Sequence, residues 1–108
     1  MLEGMKESTI QRGILDYLEL FSRTNTIYFF RAGSGAFKTS AGRYFKTGVK
    51  GLPDIIALYA GRFIGLEVKT PKGRQSIDQK KAEDSILRSG GEYHIVRSIS
   101  DVKEILPL

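Results

Sequence analysis

Apolar residues recur at helical spacing near the start of the chain. Ile10, Ile14, Leu18 and Phe21 stand four, four and three positions apart, with Tyr17 beside them, which predicts an amphipathic helix over 7–22. Glu7 opens that stripe, where a carboxylate suits a helix N-terminus. Residues 26–31 (TIYFFR) are rich in β-formers and predict a strand. Glycines at 33, 35, 42 and 48 then predict a long loop over 33–50, with a short strand around Tyr44 and Phe45. The runs 54–59 (DIIALY) and 62–69 (RFIGLEVK) predict two strands joined by a tight turn at Ala60 and Gly61. Ser76 opens a helix to about residue 89, which Gly90 and Gly91 stop. A strand over 92–97 and a short helix over 99–106, before Pro107, complete the order α-β-β-β-α-β-α. Neither a repeat nor a linker divides the chain, so 1–108 is expected to be one domain.

Composition narrows the chemistry. With 41% apolar and 27% charged residues, the chain can bury a core and is not a disordered tail. No cysteine is present, which excludes disulfides, a thiol nucleophile and Cys-based zinc sites. His94 is the single histidine, so any metal must be held mainly by oxygen, which suits Mg²⁺ or Mn²⁺. No run approaches bilayer-spanning length and no signal peptide opens the chain, so a cytoplasmic location is expected, with no membrane partner.

Charge adds a partner. Seventeen Lys+Arg against twelve Asp+Glu give a net charge of +5. No acidic residue lies between Glu19 and Asp54, whereas Arg23, Arg31, Lys38, Arg43, Lys46 and Lys50 all do. Such a one-sign segment attracts phosphate backbones, although a solvated loop that aids solubility has the same look. Interleaved aromatics (Tyr28, Phe29, Phe30, Phe37, Tyr44, Phe45) favour nucleic-acid binding. Lys72 and Arg74, with Lys80 and Lys81, either join that surface or simply solvate the second helix.

The hairpin supplies candidate chemistry. With its turn centred between Ala60 and Gly61, Asp54 lies directly opposite Glu67, and such pairs have Cβ atoms roughly 4.5–5.5 Å apart on one face; a three-residue turn would make the relation diagonal and still leave them near neighbours. Lys69 shares that face. Two opposed carboxylates repel unless a cation lies between them. A divalent ion held by both would resolve the conflict, and so, in part, would an ordinary surface ion pair with Lys69. Pro53 stiffens the approach to Asp54.

Pro53-Asp54 followed by Glu67-Val68-Lys69 resembles the signature of the PD-(D/E)xK nucleases. Glu7-Ser-Thr-Ile-Gln11, Gly51-Leu-Pro-Asp54, Glu67-Val-Lys69, Ser76-x-x-Gln79 and the 91–96 strand occur in the order seen in VRR-NUC domains, the virus-type replication-repair nucleases. The resemblance runs from Glu7 to about Val102, and archaeal Holliday-junction resolvases are a related look-alike. It implies an α/β fold with a restriction-endonuclease-like core, a mixed central sheet flanked by helices. It implies that Asp54 and Glu67 bind Mg²⁺, or Mn²⁺ in its place, with the Val68 carbonyl as a third ligand. Glu7 would reach the ion directly or through water, and Lys69 would orient the attacking water.

Gln79 would bond near Lys69 or the substrate, although Ser76-x-x-Gln79 is equally a capping box that closes the helix start. The implied activity is a DNA endonuclease that resolves four-way junctions as a homodimer, without a nucleotide cofactor, at the nucleoid or in a phage-infected host. Phe63 and Tyr59 are candidate interface residues. A flap or 5′-end nuclease and a non-catalytic nucleic-acid-binding module are the alternatives. Acids facing a phosphate backbone would serve a mere binder poorly.

Overall fold

The computed structural model describes residues 5–32, 36–38, 40–46 and 49–108, with only the backbone described at 36–38 and 44–46. The chain runs α1 (Glu7–Ser22), β1 (Ile27–Arg31), β2 (Ala36–Lys38), β3 (Tyr44–Lys46), β4 (Ile55–Tyr59), β5 (Arg62–Val68), α2 (Ile77–Arg88), β6 (Glu92–Val96) and α3 (Ile99–Ile105). The main sheet has the order β1-β4-β5-β6. β1 and β5 each pair antiparallel with β4, while β6 pairs parallel with β5. A parallel neighbour needs a crossover, and α2 provides it.

Two sheet faces do different work. Ile55, Ala57, Ile64, Leu66 and Val68 point to one face and pack on Ile10, Ile14, Leu18 and Phe21 of α1 and Val102 of α3. The helical stripe in the sequence is therefore the buried side of α1. The Tyr17 hydroxyl donates to the Leu106 carbonyl at 2.6 Å and ties the C-terminal helix to the first. The opposite face carries Phe63, Gly65 and Glu67, the alternate residues of β5. α2 lies along its β5–β6 side, packing against β6.

Register follows from the hairpin turn. Ala60 and Gly61 both have positive φ, 51° and 77°, as a two-residue type I′ connection requires. Tyr59 pairs with Arg62 and Ile55 with Leu66, so the next step sets Asp54 beside Glu67, as the sequence predicts. Asp54 and Lys69 themselves fall one residue outside the strands.

The short strand expected around Tyr44 and Phe45 is present as β3, and the rest of the expected loop over 33–50 is corrected. The segment contains a second, two-stranded antiparallel sheet in which Phe37 pairs with Phe45 and Lys38 with Tyr44. Gly42, with φ 83°, serves its turn. Three-residue strands within glycine-rich sequence leave little periodicity to read. Among the described residues no helix is long and apolar enough to cross a membrane.

Candidate metal centre

Three elements converge at the end of the sheet where β4 begins and β5 ends. The first turn of α1 brings Glu7, the residue before β4 is Asp54, and β5 carries Glu67. One carboxylate oxygen from each lies within 4.8 Å of the others. Ligands on opposite sides of an octahedral Mg²⁺ stand roughly 4.2 Å apart, so small side-chain adjustments would close these oxygens on an ion.

Asp54 and Glu67 are held from behind by protein donors. The Val68 N–H donates to Asp54 Oδ2 at 2.8 Å. In a strand, a residue's N–H and C=O aim at the same neighbour, so the Val68 carbonyl is directed to the Asp54 side as well. Glu67 is fully buried and Lys69 is 8% exposed, so the alternative of an ordinary surface ion pair does not hold: the pair is a buried one. The first turn of α2 covers this end of the sheet face. Lys69 Nζ lies 3.3 Å from Glu67 Oε2, and Gln79 Nε2 donates to the same oxygen at 2.9 Å. The other oxygen, Oε1, is buried without a hydrogen-bond partner among the described residues.

This arrangement fits a divalent cation. A buried carboxylate oxygen without a donor is costly, and an ion shared with Asp54 and Glu7 would satisfy it. Burial, with Asp54 beside it, pushes the Glu67 carboxyl up to about 7, while Lys69 pulls the other way. The sign for stability follows. A folded-state value above the unfolded one favours folding at low pH, and that benefit fades as pH rises towards 7. Without metal, the protein is expected to lose on the order of 2 kcal/mol of stability between pH 5 and pH 8. Excess Mg²⁺ or Mn²⁺ should restore it at pH 8. Glu67→Gln should flatten the metal-free profile and abolish the metal effect; denaturant midpoints with EDTA and with Mg²⁺ decide this, and an unchanged profile would sink it.

Gln79 joins two roles that the sequence set as alternatives. Its Oε1 accepts from the Ser76 N–H at 2.9 Å while its own N–H donates to the Ser76 hydroxyl, a complete capping box. Its amide nitrogen is thereby aimed at Glu67. Gln79, Ala82 and Ile86 are half-buried, so the stripe does face the sheet, but α2 has no fully buried residue.

The basic residues lie in the connections at this end of the sheet. Arg31 closes β1 and is exposed, sharing a groove of about 670 Å³ with Gln11 and Arg12 of α1. Arg43 is exposed in the β2–β3 turn, and Lys50 is exposed just before Gly51. The side chains of Lys38 and Lys46 lie outside the described residues. Lys72 and Arg74 are exposed between β5 and α2. Arg97 pins that loop by donating to the carbonyls of Thr70, Pro71 and Gly73 at 2.6, 3.3 and 2.9 Å. Nothing in the sequence marks Arg97 for that task.

His94 lies 3.0 Å from Glu92 Oε1, and Arg62 holds Glu92 through both oxygens at 2.7 and 2.9 Å. These bonds, Arg62 first, lower the Glu92 carboxyl to about 2. None of these three residues belongs to the carboxylate cluster. Tyr59 is corrected as an exposed interface candidate: it packs edge-on against Phe21, with centroids 5.2 Å apart, at the margin of the core. Phe63 is half-buried in a recess with Ile86 and Gly91.

Two glycines that the sequence leaves unassigned set the position of Asp54. A Cβ on Gly65 would stand 2.7 Å from Pro53 Cγ, because the buried Pro53 ring lies over the strand at that point. A Cβ on Gly51, where φ is +75°, would stand 2.1 Å from the Asp78 carbonyl oxygen at the start of α2. An isolated glycine inside an apolar strand is the signal of close approach that could have revealed Gly65.

No family model matches this chain, nor does any curated protein. Among solved structures, one described as a VRR_NUC domain superposes on 94% of this chain and 95% of its own length. The TM-score is 0.64 and the sequence identity 17%. A likeness at that identity speaks for the arrangement of helices and strands. The chain has the fold of a VRR_NUC domain.

Proposed function

We propose that this protein is a metal-dependent DNA endonuclease that hydrolyses phosphodiester bonds, with Glu7, Asp54, Glu67 and the Val68 carbonyl as the ligand set. The observation that carries the reading is the carboxylate cluster itself: three acids from three elements, one with an orphaned buried oxygen, and Lys69 beside it. A bound Mg²⁺ or Mn²⁺ would polarise the scissile phosphate and make water nucleophilic near neutral pH.

The chain's own groups do the rest. Asp54 is fixed by the Val68 N–H and Glu67 by Gln79, so both carboxylates need only small adjustments to meet an ion. Lys69 orients the attacking water and offsets charge that builds on the phosphate oxygens. Water attacks phosphorus and releases a proton to solvent, the bond to the leaving oxygen breaks, and that oxygen takes up a proton from solvent. Arg31, Lys38, Arg43, Lys46, Lys50, Lys72 and Arg74 grip the backbone on either side.

The preferred substrate in this reading is a four-way junction. Resolution needs two symmetric cuts and one domain supplies one site, so the working form is a homodimer. Labelled junction, linear duplex and flap, each with Mg²⁺, Mn²⁺ or EDTA, test it. Paired metal-dependent nicks in opposite strands are expected. Cutting of flaps alone would discard junction resolution, and tight binding without cleavage in either metal would leave a binding module. Replacing Lys46 and Lys50 with alanine is expected to weaken binding and reduce the slope of log affinity against log salt by about 2, roughly one for each phosphate no longer neutralised. An unchanged slope would remove these two from the interface.

A further inference from the structure

α2 lies over the β5–β6 side of the Glu67 face, and among the described residues no helix covers its β1 edge. Tyr28 and Phe30 stand there, 66% and 43% exposed. Strand alternation sends Ile27 and Phe29 into the core instead, and pairs Tyr28 with Leu58 and Phe30 with Ile56 on the outer face. The two rings lie 5.8 Å apart between centroids with planes tilted by 56°. They already touch, so a flat ligand would cover their outer faces rather than slide between them.

Their position relative to the carboxylates is set by backbone pairing. The Ala32 N–H donates to the Asp54 carbonyl at 2.8 Å, which continues the β1–β4 register one step past Arg31 and Ile55. Phe30 is one same-face step from that row, roughly 6.7 Å along the strand, and Tyr28 is one step further. The rings therefore form a row leading away from the metal centre. The chain that follows them as far as Asp54 holds no acidic residue, and exposed Arg31 ends the strand. A second copy laid on this edge would bring two basic segments together. A partner with flat apolar faces strung on a negative backbone suits both features.

We propose that Tyr28 and Phe30 form a stacking platform for unpaired DNA bases beside the cut site. This rests on the reading of the carboxylate cluster as a DNA-cleaving centre and narrows its substrate class. Every base has a π face that an aromatic ring can cover, and stacking tolerates any sequence. Continuous duplex keeps those faces against one another. A branch point or single-stranded arm offers them, so the platform selects DNA in which pairing is interrupted.

Affinity in EDTA for single-stranded DNA, for a junction with 2-aminopurine at the branch point and for linear duplex tests this. The Tyr28→Ala/Phe30→Ala protein is expected to lose about 10-fold or more on the first two and to bind duplex within about twofold of wild type. Quenching of 2-aminopurine should fall, while the salt slope stays unchanged because no charge is removed. Both rings are exposed, so the melting temperature should hold, and Tyr28→Trp should keep the wild-type preference. Undiminished affinity for single strands and junctions in the double variant would overturn the platform. So would a wild-type dimer that the double variant breaks into monomers with its DNA preference intact, which would assign the surface to a second copy. Absence of cleavage in Mg²⁺ with stacking intact would overturn the nuclease reading alone.

Discussion

Asp54→Ala and Lys69→Ala should each slow junction cleavage by about 10³-fold or more, while junction affinity in EDTA stays within about threefold of wild type. Asp54 has a local structural partner in the Val68 N–H, and the bond is partly exposed, so water can replace it. Its loss also removes the like charge beside Glu67, so the metal-free fold should not weaken. Asp54→Asn separates the two functions: its side-chain oxygen can still accept from Val68, but it brings no charge to an ion. Single-turnover cleavage should be lost in both variants, with Asn closer to wild type in stability.

Lys69→Ala leaves buried Glu67 with Gln79 as its remaining donor and the centre without its ammonium. Its cleavage defect should therefore persist at saturating Mn²⁺. Wild-type cutting by Asp54→Ala would place the chemistry elsewhere.

Gly65→Ala is expected to cost about 10²-fold in cleavage although it alters no group that meets DNA or metal. Alanine is the better strand residue by backbone entropy alone, by roughly 0.5–1 kcal/mol. The collision outweighs that gain. Its methyl would lie 2.7 and 3.3 Å from two ring carbons of Pro53, whose φ is locked and whose ring is buried. The ring must move, and Asp54 moves with it. A displacement near 1 Å at a reacting centre is enough for a loss of about 10²-fold, and overpacking should cost about 1–3 kcal/mol of stability.

Gly51→Ala should destabilise more. It combines a left-handed backbone with a 2.1 Å approach to the Asp78 carbonyl oxygen, which cannot swing away as a side chain can. A double-mutant cycle of Gly65→Ala with Pro53→Ala checks the mechanism, because the smaller side chain should relieve part of the loss. Strictly additive defects would mean that the ring is not the cause.

The parts legible in the sequence are those fixed by short-range rules. The stripe Ile10, Ile14, Leu18, Phe21 marks α1 and its buried side. The two-residue turn at Ala60 and Gly61 sets a register that puts Asp54 beside Glu67 by residue counting alone. Burial of the pair is not legible. A strand alternating apolar with Glu and Lys reads as half-exposed, and only the docking of α2 shows that the polar face is covered as well. The same long-range contact explains Gln79: local spacing gives a capping box, and the direction of the remaining amide group depends on where the helix comes to rest. Pro53 over Gly65 and Arg97 against the 70–73 carbonyls are likewise tertiary contacts, and of the two three-residue strands β3 is marked by Tyr44 and Phe45 while β2 is too short for a period to emerge.

The sharing of Gln79 between helix cap and carboxylate ties the centre to the weakest-anchored helix. α2 contributes no buried residue, while α1 contributes five. Segments with few buried contacts open first, by local excursions far cheaper than global unfolding. When the first turn of α2 frays, the Ser76–Gln79 cap opens and Glu67 loses a donor in the same event. In the proposed metal site, the fraction of molecules with Glu67 held ready for an ion would thus be governed by the local opening equilibrium of one helix end. Warming should drain that fraction well before the core formed by α1 and the sheet gives way.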